Sequence, residues 1–503
     1  MQKLIYLALL FPFFSFSQNA GDSLFNTNQV IRVDITFNQT GFWDSLVANY
    51  TPEKDMMAAG LQITDSYGVR TMDSIAIRLK GNSSYGHPGT KKSFKIDVNQ
   101  YVQGQDYRGL KKLNFNNGFK DPTFMREKVY FDLCKEMNVP APRVNFANVY
   151  MNGTFWGFYT IVEQIDDQYL DWAFVDDTGN LFKAGDNTDG QSPADLANHG
   201  TSSSDYSSRY ELKTNEDLND WSDLLGFIKF IDSTTTSEFT INLASNINLP
   251  VYLKSLALDN LFSSLDSYLN SARNYYIYNN GTTGLWEWIK WDGNEAFGLY
   301  TGGPGLGNLE QLAPNYIASS RPLVSKIFAS TTLYATYKDE LCSIMDSYFN
   351  PTYMNTKIDA IKTLIQADVL ADDLKMYSDQ NFLDNTESNI TVSGGPMGSQ
   401  TVFGLKSFVA NRSSYLNSLI CPLAVNELEK SKNIVSPNPF SDNFTISTDI
   451  ESIEILDASG RKIDFKQVQE LGNSTITLNA KAGIYFLNLK TKNGIQNITL
   501  VKE

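Results

Sequence analysis

The spacing of apolar positions changes along the chain, and each change marks an element. Residues 30–70 carry IRVDITF, the helical-looking FWDSLVANY and LQITD, which predict an α/β opening layer. Two period-two patterns follow, Ile75–Lys80 and Ser93–Val98, flanking a Gly/Ser/Pro loop. Alternation puts Arg78, Lys80 and Asn82 on one face if the first strand extends that far. Lys91, Ser93 and Lys95 likewise share a face, with Phe94 and Ile96 on the other. The run from Asp121 to Asn138 reads as a helix, capped by Asp121 or Thr123 with Pro122 in the first turn. FANVYMNGTFWGFYTIVEQID reads as a hairpin turning at Asn152-Gly153, with Glu163 ending its second strand where a hinge toward a second lobe would begin.

The stretch from Val251 to Gly298 is the most informative. VYLKSLALDNLFSSLDS is spaced as a helix ending near Asp266, SYLNSAR as a loop, and NYYIY and LWEWIKW as strands around an NNGTTG turn. The second strand delivers Asp292 in WDGNEAFG. The order is helix, Asp266, Asn274, hairpin, Asp292. Protein kinases place a catalytic aspartate, a metal-binding asparagine and a second metal-binding aspartate in this order. One carboxylate accepts the proton of the attacking hydroxyl, and separate oxygen ligands hold a divalent cation on the phosphates. No HRD or DFG triplet is present. Order alone is equally compatible with aspartates that merely form turns and strand ends. A glycine-tipped hairpin with Arg78, Lys80, Lys91 and Lys95 can cover and neutralise phosphates, although a basic stripe on a strand is commonly a solvated face.

The chain begins MQKLIYLALLFPFFSFSQNAGDS, with Lys3, an apolar stretch from Leu4 to Phe16, and then small polar residues, a signal-peptide pattern. No other apolar run reaches about 18 residues, so no transmembrane anchor is expected. After Cys421 a polar linker leads to short alternating segments separated by PNPFSDN, DASGRK, KAG and KNG, which predict a small all-β sandwich. Residues ~186–210 read as a flexible polar insertion, and TGGPGLGN as a mobile loop.

Composition narrows the chemistry. The 503 residues are 42% hydrophobic, enough for more than one domain, and the net charge of −15 argues against nucleic-acid binding through a basic surface. Only His87 and His199 are present, in a Gly/Pro loop and a polar Asn/Ser stretch; either can serve a site, but two solvated loop histidines are the expected reading, so chemistry is expected to rest on Asp, Asn, Glu, Lys and Arg. That inventory suits Mg²⁺ and phosphate better than zinc. Cys134 lies in an apolar helical pattern, and Cys342 and Cys421 can pair in an oxidising compartment.

The blocks IRLKGNSS…KKSFKI, LNFNN…DPTFMREKVYFDL, VYMNGTFWGFYTIVEQID and LDSYLNSARNYYIYNN…WIKWDGNEAFG resemble the successive motifs of the spore-coat protein H (CotH) kinase family. SPNPFSDNFTI, ILDASGRKI and AGIYFLNLKTKNG…ITLVKE resemble the C-terminal sorting domain of the Bacteroidetes type IX secretion system. The resemblances imply an α+β chain: an atypical two-lobed protein-kinase-like domain followed by a small all-β sandwich. The expected division is a signal peptide at 1–18, the kinase-like domain at 24–422, a linker at 423–432 and the sorting domain at 433–503. They also imply a secreted or surface-attached enzyme that uses ATP with Mg²⁺ or Mn²⁺ to phosphorylate Ser/Thr hydroxyls of a protein, delivered by the type IX machinery. By position Asp266 would be the catalytic aspartate and Asp292 the metal ligand, helped by Asn274 and Asn294. Arg78, Lys80, Lys91, Lys95 and Glu163 would lie on the nucleotide side. Many family members carry an aspartate two residues after the WD aspartate, where this chain has Asn294, which ligates Mg²⁺ with one charge less. The alternative is a non-catalytic surface module that binds protein or glycan. Its support is the 13% aromatic content, with Trp286, Trp288 and Trp291 close in sequence.

Overall fold

Every second side chain of Ile31–Thr36 (β1) is buried, and the same alternation sets the inward face of Met57–Asp65 (β2). Gly68–Leu79 (β3), Phe94–Asp97 (β4), Lys112–Asn116 (β5), Val144–Met151 (β6) and Thr154–Glu163 (β7) follow. In the computed structural model these seven strands close a barrel in the order β1-β2-β3-β4-β5-β7-β6, sealed by the parallel pair β1–β6. The described residues are 19–50, 55–185, 192–300, 302, 306–319, 321–395, 398–421, 435–447, 450–470, 473–491 and 494–503. The expected signal peptide and linker lie outside them, as does much of the glycine-rich TGGPGLGN loop.

The barrel replaces the loose opening layer and separate hairpins that periodicity suggests. Period two identifies a strand and its inward face, but not its neighbours. Val33 of β1 pairs with Val149 of β6, a partner that no local pattern names. Val33, Ile63, Ile77, Phe94, Phe115 and Ile161 fill the interior as one core. The β6–β7 turn is where the sequence puts it, with Asn152 and Gly153 both at positive φ (49° and 79°). The Asn152 side chain also accepts the Phe37 N–H at 2.7 Å.

The helix expected from Asp121 starts later, at Arg126, and runs to Glu136. The Asp121 carboxylate accepts the N–H groups of Thr123 (2.9 Å) and Arg126 (3.0 Å) and pairs with the Arg126 guanidinium, which holds residues 121–125 in a turn. Arg126, fully buried, also donates to Asn385 Oδ1 (2.9 Å) and the Phe403 carbonyl (2.6 Å).

A second core surrounds the helix Leu249–Leu261, whose buried residues lie on all its faces. Over it lies a sheet in the order β11-β10-β8-β9, from Leu181–Ala184 (β8), Tyr210–Leu212 (β9), Tyr275–Asn279 (β10) and Trp286–Lys290 (β11). The helix ends at Leu261, so Asp266 stands in the following loop rather than at the helix end. Helices Pro322–Ala329, Thr331–Ser347, Pro351–Leu370 and Leu405–Leu419 complete this half. A Cys342–Cys421 disulfide joins two of its segments, and Cys134 is a buried free thiol.

The polar insertion is less loose than its composition suggests. Residues 186–191 lie outside the described residues, but Ala194, Leu196, Tyr206 and Tyr210 are buried in the second core. Tyr268 Oη donates to the Asp195 carbonyl at 2.8 Å, and the Ala194 N–H to the Ala272 carbonyl at 3.0 Å. A few apolar residues in a polar run find their partners only once the chain has folded.

The chain divides into two compact units, 1–421 and 422–503. The second is all-β. One sheet contains Val435–Ser436, Asn443–Ile446, Asn473–Thr477 and Lys466–Glu470, and the other Ser452–Asp457, Gly483–Thr491 and Gly494–Lys502. Phe444, Ile446, Ile476, Leu487 and Leu500 form its core.

Lys91 and Asp372 form an ion pair with side chains 1% and 0% exposed, joining the barrel to the chain after the Pro351–Leu370 helix. Asp372 also accepts the Phe158 N–H at 3.0 Å. Asp372→Ala is expected to lower the unfolding free energy by about 3–5 kcal/mol, because it strands a buried ammonium. The double variant Lys91→Met/Asp372→Leu should recover most of it, as read by urea denaturation.

Candidate active site

The outer face of β3–β5 carries a polar ladder. Arg78 is the cross-strand partner of Lys95, and Lys95 of Asn114, so alternation puts all three on one face. Lys80 donates to Asn114 Oδ1 at 3.4 Å, Asn114 Nδ2 to Gln164 Oε1 at 3.2 Å, and Lys95 to the same oxygen at 2.9 Å. These are neutral partners for a crowd of cations. Burial pushes the Lys95 ammonium down to about 7, and Lys112, Arg78 and Lys80 add to the effect. Burial pushes Lys80 down to about 8, opposed by Asp292 and Glu127. Burial also lowers Arg78.

Carboxylates gather beside this face. Glu127 stands in the first turn of the Arg126–Glu136 helix, where the helix dipole favours an anion. Its Oε2 accepts Asn116 Nδ2 at 2.9 Å. Burial, then the charge of Asp292, raises Glu127 to about 7, against the pull of Asn116 and Lys80. Asp292 follows β11 in the left-handed region, φ 54° and ψ 61°, a conformation uncommon for a residue with a side chain. Gly293 brings this turn against the helix: a Cβ there would come within 2.7 Å of Tyr130. Asn294 and Glu295 complete the short turn Gly293–Glu295. Lys120 donates to Glu295 Oε1 at 2.8 Å. Burial raises Glu295 to about 7, with Lys120 opposing and Asp266 and Asp292 adding to it.

Asp266 lies in the loop between the Leu249–Leu261 helix and β10. Asn274, at φ 58°, donates to the Asp266 carbonyl at 3.0 Å and fixes the loop. Burial holds the Asp266 carboxyl above its ordinary range, against Ser271, Lys120, Arg273 and Asn274. Lys80, Glu127, Asp292, Glu295, Lys120 and Asp266 are thus linked in one chain of electrostatic neighbours.

Two of the residues expected on the nucleotide side are engaged elsewhere. Lys91 is held in the pair with Asp372 and donates to the Phe158 carbonyl at 2.5 Å. Glu163 is 2% exposed and binds Arg143 through Nε (2.9 Å) and its N–H (3.1 Å), and Trp172 Nε1 (3.0 Å). Both serve as internal partners because burial requires each charge to be matched. Trp286 and Trp288 are 5% and 2% exposed and pack in the second core, so they form no aromatic binding platform.

Sequence reading missed Glu127, Glu295, Lys120 and Asn116. An acid in a first helical turn is ordinary, and the Glu127 signal lay only in its block, DPTFMREKVYFDL.

Among the described residues, no group of three or more His, Cys, Asp or Glu side chains is arranged around one metal position. Mg²⁺ needs no such cage, since it is commonly held by one or two carboxylates plus substrate phosphates. Glu127 Oε1 and Glu295 Oε2 are buried with no hydrogen-bond partner, and both carboxylates lie beside Asp292. Carboxylates repelling one another, with unpartnered oxygens, fit a divalent cation that phosphate would complete.

Comparison with known proteins bears on the same region. The model of the CotH kinase protein family matches residues 77–416, which contain all of these groups. The chain belongs to the CotH kinase protein family. The inner spore coat protein H of Bacillus subtilis is 29% identical over 294 residues, covering 58% of this chain and 77% of that protein. Two proteins of Rhizopus delemar, invasin CotH3 and invasin CotH2, are each 20% identical, over 341 and 452 residues. The alignments cover 65% of this chain and 55% of CotH3, and 84% of this chain and 74% of CotH2. Residues 435–503 match the secretion system C-terminal sorting domain, which indicates delivery to the cell surface by type IX secretion. Among the described residues no helix is long and apolar enough to cross a membrane.

The raised Glu127 carboxyl has a consequence for stability. Between pH 4.5, the ordinary glutamate value, and about 7 the folded protein keeps a proton that the unfolded chain has released. Stability of the metal-free protein should therefore fall as pH rises through that window. Glu127→Gln should make the fall shallower by about 1–3 kcal/mol, seen as a smaller drop in melting temperature between pH 4.5 and 8.

Proposed function

We propose that this chain is a secreted, atypical protein kinase that transfers the terminal phosphoryl group of ATP to Ser/Thr hydroxyls of a surface or extracellular protein. The observation that carries the reading is the juxtaposition of two incompletely neutralised charge groups. Arg78, Lys80 and Lys95 crowd one strand face with positive charge. Glu127, Asp292 and Glu295 crowd its border with negative charge. A nucleotide polyphosphate neutralises the first group, and a divalent cation the second. Family membership supports the same chemistry.

In this reading the outer face of β3–β5 binds the phosphates through Arg78, Lys80 and Lys95. Asp292 and Glu127 together supply negative charge that favours the charged form of Lys80. Asp292, with Asn294 and Asn274 as neutral helpers, would hold Mg²⁺ or Mn²⁺. The cation would supply charge stabilisation on the phosphate oxygens. Asp266 accepts the proton of the acceptor hydroxyl as its oxygen bonds to the terminal phosphorus and the bond from that phosphorus to the ADP oxygen breaks. Burial that raises Asp266 makes it a better proton acceptor than an exposed aspartate.

The test is phosphate transfer from labelled ATP, with Mg²⁺ or Mn²⁺, to the chain's own hydroxyls and to a mixed protein acceptor. Asp266→Asn should lower transfer by about 100-fold or more while nucleotide affinity changes little. Asp292→Ala should lose both. Wild-type transfer rates in two variants that melt normally would show the roles to be wrongly assigned, and a wild type that binds no nucleotide would leave a binding module in its place.

Delivery is tested separately. Deleting the chain from Asn433 onward should leave a folded, nucleotide-binding first unit that no longer reaches the cell surface. Unchanged surface delivery, read by protease accessibility on intact cells, would remove the tail's role in sorting.

A further inference from the structure

Lys120 is held in place by an unusual piece of backbone. It lies in the link between β5 and the Arg126–Glu136 helix, where Gly118, Lys120 and Phe124 all have positive φ (76°, 62° and 57°). Two of these carry side chains, and such conformations persist only where the surroundings impose them. The Asp121 carboxylate imposes this one through its bonds to Thr123 and Arg126. A Cβ on Gly118 would overlap the Phe124 ring, so the link has little freedom to relax.

The turn carries the Lys120 ammonium to Glu295, 175 residues away, at 2.8 Å. Its side chain stays 28% exposed, whereas that of Glu295 is 9% exposed. An ammonium has three donors, and Glu295 Oε1 accepts one of them. The same ammonium acts electrostatically on Asp266, and Glu295 feels both Asp266 and Asp292. Lys120 is therefore bonded to Glu295, near enough to Asp266 to act on its charge, and partly open to solvent.

We propose that Lys120 is a catalytic residue whose ammonium donates to the oxygens of the phosphoryl group as it moves from ADP to the acceptor hydroxyl. This rests on the kinase reading above. In the step, the acceptor O–H proton passes to Asp266, the oxygen–phosphorus bond forms, and the bond from phosphorus to the ADP oxygen breaks. The Lys120 side chain takes no part in the proton transfer. Its charge acts where negative charge is spread over the three equatorial oxygens, and Glu295 keeps it aimed when no phosphate is bound. A purely structural lysine would only neutralise Glu295.

The experiment uses the full chain with Lys120→Met and Lys120→Arg. Binding of ADP with Mg²⁺ is measured by calorimetry with and without aluminium fluoride, which mimics the phosphoryl group in transfer, and kcat is measured alongside. Lys120→Met should bind ADP within about two-fold of wild type, lose the fluoride-dependent tightening by about 30-fold or more, and lose about 100-fold in kcat. Lys120→Arg should recover a large part of both. If Lys120→Met does not fold, Lys120→Gln, which keeps a donor for Glu295 without the charge, carries the same readouts. A kcat near wild type, or equal losses for ADP and for ADP with fluoride, would overturn the assignment. Failure of the kinase reading is visible beforehand, as a wild type that neither binds ADP nor transfers phosphate, and it removes the role of Lys120 as well.

Discussion

Charges of like sign are held together at depth with too few opposite charges among them, and the organisation of the first unit follows from that constraint. Lys80 and Lys95 sit among cations with amide oxygens as hydrogen-bond partners. Glu127 and Glu295 sit near Asp292, each with one oxygen that has no partner. A protein selected only for stability would separate these groups or pair them fully. The arrangement persists because the surrounding structure is rigid enough to impose it.

That rigidity comes from other buried charges that each have an opposite partner. Lys91 with Asp372 and Arg143 with Glu163 tie segments of the first unit to one another, and Arg126, paired locally with Asp121, reaches Asn385 and the Phe403 carbonyl. Lys290 with Asp259 does the same under the candidate site, where Tyr130 Oη donates to Asp259 at 2.6 Å and Lys290 Nζ to its other oxygen at 2.5 Å. Well-paired ions are weak contributors to net stability, but breaking one strands its partner, so they resist rearrangement. The paired ions position the scaffold around the like-charged groups of the candidate site.

The division of labour extends to the glycines and strained residues. Gly293 lets the Asp292 turn press against Tyr130, and Asp292, Asn274 and Lys120 all have positive φ. At these positions the surrounding structure holds the backbone where it aims a side chain. The all-β second unit shows the contrast. Its strands alternate regularly around one core, and its role in export asks for a recognisable surface, with no buried unmatched charge required.

The sequence alone determined the local elements and the chemistry available. Period-two runs marked β3, β4, β6 and β7, Asn152-Gly153 marked their tightest turn, and the scarcity of histidine left carboxylates, amides and cations to do any chemistry. The ordered blocks also pointed to the family and to the sorting tail, since motif order survives where identity has fallen. What only the tertiary structure decided was which strands neighbour one another and which charges meet. Lys91 and Lys95 share a strand-face period, yet Lys91 finds Asp372, 281 residues on, while Lys95 stays on the site's face beside Arg78. Glu127 looked like any first-turn acid until the Asp292 turn was folded against it. Hydrogen-bonding and hydrophobic periods act over a few residues and are written locally. Electrostatic pairing at depth depends on long-range closure of the barrel against the helical core, which no local pattern encodes.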